Sequence, residues 1–360
     1  MNTTHPYPTP FDRPLRERDG KLVENWYVAC VSHELKTGKP LARKIYDENL
    51  VLFRDSNGNP ACLPDRCLHR AVKLSEGKCE SGTLRCPYHG WQYAASGKVL
   101  EIPSEGHCPT SREIVLKPRP CVEKQGLIWV WMGESAPSTP EPSWDFLHYG
   151  DPNWSHYFMI TNFDNEVTNL AENFSDVPHT IFVHDKWFRS KAHQNVPIRL
   201  DVENGRVLIT YEQPSDSIGW TRWIVNPKGE PMFHTDEFVY PNLTRTIYQF
   251  GPEYAFVINS QSTPVSTMKS RVYTYICYRT GPFTALMNPF FRIYTRVVIE
   301  QDVVIMKNQG DNLRAHPPAP FRATDADEIH LAIERLREMG AKGDPNLLSF
   351  KKSKEKSFWI

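Results

Sequence analysis

The sequence predicts an α+β protein in which a small all-β domain precedes a larger domain built on an antiparallel β-sheet surrounded by helices. Three features favour this class. Short apolar segments rich in β-branched and aromatic residues dominate the first third of the chain. A proline-rich stretch follows, and beyond it come further strand-like segments and two patterns of helical period. The length of 360 residues is sufficient for two such domains.

The first predicted domain covers residues 26–133 and follows an N-terminal segment, 1–25. Strand-like sequence occurs at 26–30 (WYVAC), 50–53 (LVLF) and 126–133 (GLIWVWMG), and a turn signal, SNGN, occurs at 56–59. The stretch ESAPSTPEPSW, 134–144, contains three prolines and is predicted to be the linker to the second domain.

The second predicted domain covers residues 145–345 and combines a sheet with helices. Residues 165–187 are compatible with a helix, and segments typical of antiparallel strands follow at 206–213, 244–250, 254–260 and 271–280. Helical periodicity predicts two further helices, at 290–309 and 325–340, with Gly340 expected to end the second. Residues 346–360 are predicted to be a charged tail on the solvated surface.

Charge and hydropathy exclude several classes of protein. The 42 lysines and arginines balance 42 acidic residues, which argues against a nucleic-acid-binding polyelectrolyte. No apolar run approaches the roughly 18 residues that a membrane span needs, and the polar start of the chain lacks the apolar centre of a secretion signal. Neither a GxGxxG nor a P-loop pattern is present. A cytoplasmic protein without a nucleotide site of its own is therefore expected.

Two of the eight cysteines lie in the pairs Cys67-Leu-His69 and Cys86-Pro-Tyr-His89. Each pair offers one thiolate and one imidazole from a single short loop. Such a set also binds zinc, and chance is a further alternative, but the interleaved spacing differs from that of a zinc finger. It suits a [2Fe–2S] cluster in which two thiolates bind one iron and two imidazoles bind the other. The remaining six cysteines are expected to be small buried apolar side chains: Cys30, Cys62, Cys79, Cys108, Cys121 and Cys277.

The segment CLHR…CPYHGWQY, with Gly90 and Trp91 directly after the last histidine, resembles the Rieske motif. The resemblance implies a Rieske [2Fe–2S] domain with four cluster ligands: Cys67, His69, Cys86 and His89.

A second group of polar residues lies at 172–184, ENFSDVPHTIFVH. Two histidines five residues apart project about 140° apart on a helix, so His179 and His184 converge only where the helix ends or is distorted. Taken alone, the pair favours two structural histidines. Together with Asn173 and Asp176, however, it forms the pattern N-x2-D-x2-H-x4-H, which resembles the catalytic domains of Rieske non-haem iron oxygenases. That resemblance spans about residues 26–310 and implies that His179 and His184 bind a mononuclear Fe(II).

Iron sites of this kind complete a triad of two histidines and one carboxylate. The segment IEQDVV offers Glu300 and Asp302. On a helix, Glu300 lies near Arg296 and Lys307, whereas Asp302 shares its face with four apolar residues: Val298, Ile299, Ile305 and Met306. A carboxylate on an apolar face needs a compensating partner, so Asp302 is the predicted third ligand, with a buried salt bridge as the alternative.

The resemblance also implies roles for the other two residues of the pattern. Asp176 is expected to carry electrons between subunits, by linking His89 of one subunit to His179 of the next, and to orient His179. Asn173 is expected near the iron as a supporting polar group.

The activity implied by the resemblance is O2-dependent hydroxylation or oxidative demethylation of a small organic substrate by a homotrimer. Electrons are expected from an external ferredoxin or NAD(P)H-dependent reductase. Basic residues around the cluster loops are candidates for docking an acidic carrier: Arg66, Arg70, Lys73, Lys78 and Arg85. The alternatives are an aromatic-ring cis-dihydroxylating dioxygenase, a non-catalytic Rieske electron carrier and a zinc-binding interaction module.

Aromatic residues are the candidates for the wall of a substrate pocket, although aromatic stripes at strand spacing more often form core. They are Phe182, Trp187, Phe188, Tyr254, Phe256, Tyr273, Tyr275 and Phe290.

Overall fold

The computed structural model describes residues 10–106, 113–185, 195–212, 221–316 and 321–359. The chain divides into two compact units. One consists of Val23–Asp145, and the other consists of Phe146–Ile360 together with Met1–Leu22. The first unit is built from strands and the second combines a large antiparallel sheet with helices, which confirms the predicted α+β class.

In its described residues, the β unit contains three small antiparallel sheets, ordered β1-β10-β9, β2-β3-β4 and β5-β6-β7-β8. Its strands are β1 (Trp26–Val31), β2 (Leu41–Ile45), β3 (Glu48–Arg54), β4 (Pro60–Pro64), β5 (Lys78–Glu80), β6 (Thr83–Arg85), β7 (Gln92–Tyr93), β8 (Val99–Glu101), β9 (Cys121–Lys124) and β10 (Leu127–Trp131). Strands β1 and β10 are buried at every position, as their continuous apolar sequences require. The SNGN turn joins β3 to β4, where Gly58 has a φ of +83° that favours glycine.

Loops of this unit carry the two Cys/His pairs. The first pair follows β4, and the second lies in the short connection between β6 and β7. Because both loops start from strands packed on one apolar cluster that includes Leu63, Leu84 and Tyr93, their positions are set by a rigid core.

The second unit is built on one eight-stranded antiparallel sheet, ordered β11-β17-β16-β15-β14-β13-β12-β18. Its strands are β11 (Ser155–Phe163), β12 (Asn195–Glu203), β13 (Arg206–Tyr211), β14 (Met232–Val239), β15 (Leu243–Phe250), β16 (Tyr254–Ser266), β17 (Lys269–Thr280) and β18 (Lys352–Trp359). Its helices are α1 (Leu15–Asp19), α2 (Val167–Asn173), α3 (Thr180–Val183), α4 (Arg222–Val225), α5 (Asn288–Ala315) and α6 (Glu328–Lys342). In the part of the chain that the structure describes, no helix is long and apolar enough to cross a membrane.

Helix α6 does not end where the sequence predicts. It continues through Gly340 to Lys342, and Gly343, with a φ of +68°, forms the left-handed cap. Gly340 lies against the ring of Tyr240, where a β-carbon would clash. Its small size therefore serves close packing of the helix on the sheet and not the helix end.

The C-terminal segment, predicted as a charged tail, forms the edge strand β18 in Lys352–Trp359. It pairs antiparallel with β12, from Asn195 opposite Trp359 to Val202 opposite Lys352. Three half-buried lysines, Lys352, Lys354 and Lys356, alternate along it with exposed residues, and lysines are well suited to an edge strand because they oppose further pairing. The alternation was present in the sequence, but its small share of apolar residues concealed it.

A buried histidine couples α2 to α6. His330 is 4% exposed, with Nδ1 3.0 Å from Glu172 Oε2 and Nε2 3.2 Å from Glu334 Oε1. Burial by itself lowers the pKa of His330, but Glu172, Glu334 and Asp327 raise it, and the net effect is a raised pKa. The charged histidine therefore stabilises the fold below its unfolded pKa of about 6.5, and this contribution is lost as the pH rises through the folded pKa.

We expect His330→Gln to lower the free energy of unfolding by about 1 kcal/mol near pH 6 and by less near pH 9. Urea denaturation of both proteins at the two pH values measures this difference. His316→Gln, at an exposed position, serves as the control. A difference that does not change with pH would contradict the assignment.

Candidate functional site

The two Cys/His pairs of the β unit converge. The thiols of Cys67 and Cys86 are free and buried, and the rings of His69 and His89 lie 4.5 Å apart between centroids. The ring of His69 also stacks on Trp91 at 5.2 Å. Two buried thiols beside two close imidazoles are the donor set of a Rieske cluster.

An unsatisfied atom shows that this donor set fits the cluster. His69 Nδ1 is buried and has no hydrogen-bond partner among the residues that the structure describes. A buried ring nitrogen without a partner is costly unless a ligand or a metal occupies the position in front of it. The four residues would therefore hold the cluster, with the two thiolates on one iron and the two imidazoles on the other.

Tyr93 supports the first ligand loop. Its hydroxyl accepts a hydrogen bond from the Leu68 amide at 3.0 Å and lies 3.2 Å from Cys67 Sγ. Tyr93 is fully buried, so both contacts are fixed by packing. Tyr93 lies within the segment CPYHGWQY, but its role was not predicted from the sequence.

The second group of ligands is assembled at a break in the helix. Helix α2 ends at Asn173, and Pro178 precedes a single helical turn, α3, which starts after His179 and stops before His184. The sequence predicts one helix over 165–187, on which the two rings diverge. With only one turn between them, the rings approach to 5.3 Å between centroids.

Helix α5 contributes the carboxylate. Asp302 is 5% exposed, and its Oδ1 lies 3.3 Å from His184 Nε2 and 3.6 Å from His179 Nε2. One donor atom from each of these three residues lies within 4.8 Å of the others, close enough for one ion to contact all of them. Glu300 is instead exposed and pairs with Arg296 at 3.4 Å. The donor set is that of a mononuclear non-haem iron site.

The second ring nitrogen, Nδ1, of each of the two histidines also has a polar partner. His179 Nδ1 lies 3.2 Å from Asp176 Oδ2, and His184 Nδ1 lies 2.8 Å from Gln301 Oε1. These contacts leave both Nε2 atoms directed at the shared site. Burial by itself lowers the pKa of His179, but Asp176 and Asp302 raise it, and the net effect is a raised pKa.

Asn173 lies beside the carboxylate. Its Nδ2 donates to Asp302 Oδ1 at 3.5 Å, and its Oδ1 is buried without a hydrogen-bond partner in the described part of the chain. The amide nitrogen of Asn173 therefore fixes the orientation of Asp302, and the amide oxygen is free to accept a hydrogen bond.

Gln301 directly precedes Asp302, but its contact with His184 was not predicted from the sequence. Because its amide oxygen accepts from His184 Nδ1, we expect Gln301→Leu to weaken iron binding about 10- to 100-fold. Titration with ferrous iron of protein that lacks the mononuclear iron but keeps its cluster measures the dissociation constant of this site. Gln301→Glu keeps an acceptor and should restore most of the affinity, whereas unchanged binding in Gln301→Leu would rule out this role.

A cavity of about 130 Å³ adjoins this site and is lined by His179, His184 and Asp302. The face of the sheet formed by β11 and β14–β17, the segment 173–180 and helix α5 supply its other walls. Met159, Phe174, Ile258 and Ile276 are among its apolar lining residues. It is large enough for one aromatic ring.

Of the aromatic wall candidates, Phe256 lines this cavity. Phe182 is 72% exposed, and Tyr273 and Tyr275 are buried on the other face of β17, because Thr274 and Ile276 face the cavity. Tyr254 and Phe290 are not among its lining residues, and Trp187 and Phe188, like Cys108, fall outside the described residues. Aromatic content indicated the right strands but not which face of each strand meets the cavity.

Both halves of the chain match known domain families. Residues 25–113 match the Rieske [2Fe–2S] domain, and residues 163–341 match the vanillate O-demethylase oxygenase C-terminal domain.

Similar proteins include oxygenase components. The chain is 33% identical over 183 residues to the oxygenase component of dicamba O-demethylase from Stenotrophomonas maltophilia, covering 51% of this chain and 53% of the relative. It is 31% identical over 159 residues to the iron-sulfur subunit TsaM1 of the toluene-4-sulfonate monooxygenase system of Comamonas testosteroni, covering 44% and 45%. The chain thus spans about half the length of these relatives.

The fold is similar to that of a solved structure. NdmA of Pseudomonas putida CBB5, solved with caffeine, superposes with a TM-score of 0.78 over 94% of this chain and 98% of its own, at 22% identity. At that identity the likeness concerns the fold.

Proposed function

This chain belongs to the Rieske non-haem iron oxygenases, and from that premise we propose that it is the oxygenase component of a monooxygenase system. In this proposal it hydroxylates, or oxidatively demethylates, a small organic substrate. Similarity to demethylase and monooxygenase components supports this reaction over ring cis-dihydroxylation. A cytoplasmic location stays a prediction.

The observation that carries the proposal is a set of three metal ligands that also line a cavity. His179, His184 and Asp302 would hold a ferrous ion, which would supply the site for O2 reduction beside the substrate. The chain's own residues do the rest. Asp176 and Gln301 orient the two imidazoles, and the apolar wall keeps bulk water from the reacting atoms.

We propose that electrons enter at the Rieske cluster from a ferredoxin or reductase. Four of the five basic residues near the cluster loops are exposed, as docking of an acidic carrier requires: Arg66, Arg70, Lys73 and Lys78. Arg85 is different, because it pairs with Glu80 at 3.1 Å and Glu101 at 3.2 Å within the unit. The docking surface in this proposal therefore consists of the other four.

From the cluster, the proposed path runs through His89 of one copy to Asp176 and His179 of a neighbouring copy in a trimer. Two observations support it. His89 is exposed in the β unit, and Asp176 keeps 30% of its side chain accessible while its Oδ2 holds His179. An exposed cluster ligand and an accessible carboxylate on an iron ligand suit contact between copies.

The metal content of protein purified without oxygen tests the function. We expect about three irons and two acid-labile sulfides per chain, with little zinc. About two irons and two sulfides, unchanged after addition of ferrous iron, would favour the electron carrier. Zinc without sulfide would favour the zinc-binding module.

A further inference from the structure

One buried carboxylate in the cavity takes no part in holding the metal. Asp236 lies on β14, is 2% exposed and lines the same cavity as the three iron ligands. The sheet register places it opposite Thr246 of β15, which lines the cavity as well. A carboxylate at such a position needs an explanation, since burial of an ionised group is costly.

Two hydroxyl groups support this carboxylate. The Tyr211 hydroxyl donates to Asp236 Oδ2 at 2.8 Å, and the Thr246 hydroxyl donates to Oδ1 at 2.6 Å. His234 Nε2 lies 3.3 Å from Oδ2 but lacks the alignment of a hydrogen bond. The His234 ring is itself fixed, because it is stacked between Tyr211 and Tyr248 with centroids 4.2 and 4.3 Å away.

These donors leave Asp236 with unused accepting capacity. A carboxylate has about four acceptor positions, and the two hydroxyl groups occupy one on each oxygen. No lysine or arginine is found among the described residues that line the cavity. The remaining capacity of Asp236 is therefore available to a donor that enters the cavity.

Further polar side chains line the cavity on the same face of the sheet as Asp236. The register aligns Thr244, Ser260 and Thr274 across three strands, and all three line the cavity. Ser260 Oγ and Thr274 Oγ1 lie 3.1 Å apart. Apolar side chains such as Ile258 and Ile276 line the cavity beside these polar ones. The cavity thus offers apolar surface for a ring and a polar edge for one substituent.

We propose that Asp236 determines specificity by accepting a hydrogen bond from an O–H or N–H group of the substrate. The substrate class is then a single-ring compound that bears a neutral donor. Anionic ring compounds are disfavoured, because a second carboxylate or a sulfonate beside Asp236 is repelled and finds no lysine or arginine in the described lining. This inference rests on the proposed function in one respect, that this cavity holds the substrate.

Three ligands of similar size test the proposal: 4-methylphenol, 4-methylanisole and 4-methylbenzoate. Their dissociation constants are measured by calorimetry on the holoprotein, kept anaerobic and ferrous so that the phenol is not drawn to ferric iron. We expect 4-methylphenol to bind about tenfold tighter than 4-methylanisole, since one hydrogen bond to a charged group is at stake, and 4-methylbenzoate to bind weakest.

Asp236→Asn should reduce the preference for 4-methylphenol to about twofold or less, because the amide is uncharged and presents a donor as well as an acceptor. Glu237→Gln is the matched control. Glu237 is the next residue on β14, faces the opposite side of the sheet and pairs with Arg206 and Arg245, so its variant should keep the tenfold preference.

A preference for 4-methylphenol that persists in Asp236→Asn would overturn the proposal, since direct binding to iron would then explain it. The proposal would also be overturned if the wild-type protein bound 4-methylbenzoate as tightly as 4-methylphenol. This result does not depend on how the variant folds. Failure of the proposed function can be distinguished from failure of this inference. A wrong function would show as missing mononuclear iron or missing turnover, whereas the order of ligand affinities could still be measured.

Discussion

Asp302→Ala is expected to lower turnover by about a thousandfold or more and to reduce the iron content from about three to about two per chain. The carboxylate is the one anionic group of the three donors, and it contacts the Nε2 atoms of His179 and His184 at 3.6 and 3.3 Å. Without it, two neutral imidazoles remain, and their affinity for ferrous iron is much lower. Acid-labile sulfide and the visible absorption of the cluster should be unchanged, because the cluster ligands belong to the other compact unit.

Glu300→Ala is the matched control for this experiment. Glu300 lies two residues earlier on the same helix, but it is exposed and its contact with Arg296 is a surface ion pair of small value. Its variant should keep three irons and nearly full turnover. If Asp302→Ala kept its third iron, or if Glu300→Ala lost it, the assignment of the third ligand would be wrong.

The sequence predicts the cluster of two histidines and one carboxylate because the relevant information is local. His179 and His184 belong to a compact pattern, and helical periodicity separates Asp302 from Glu300 by the faces on which they lie. The same holds for the cluster loops, where each ligand pair spans only a few residues. Long helices such as α5 are likewise predictable, since many residues contribute to one period.

The substrate side of the site depends on tertiary structure and could not be predicted in the same way. Asp236 faces the cavity because β14 pairs with β15 in one register, and a shift of one residue would present Glu237 instead. Gln301 meets His184 only because α5 crosses near the break after α2. Neither contact leaves a signal in the spacing of neighbouring residues.

Asp176→Asn is expected to leave both metal sites loaded and yet to slow electron transfer between them by about a hundredfold. Its Oδ2 accepts from the backbone N–H of His179 and lies 3.2 Å from Nδ1 of the same residue. An asparagine oxygen can accept both contacts, so the orientation of His179 should survive. The negative charge is lost, however, and with it the strong hydrogen bond that would join the carboxylate to His89 of a neighbouring copy.

A single-turnover measurement separates this role from a structural one. The cluster is reduced without oxygen, the protein is mixed with O2 and substrate, and oxidation of the cluster is followed by its visible absorption. Iron and sulfide contents should match those of the wild type, which a loss of folding or of metal would not allow. Asp311→Asn, an exposed carboxylate paired with Lys307 and Arg314 on α5, should leave the rate unchanged. A wild-type rate of cluster oxidation in Asp176→Asn would show that electrons reach the iron without this carboxylate, and Asp176 would then serve only to orient His179.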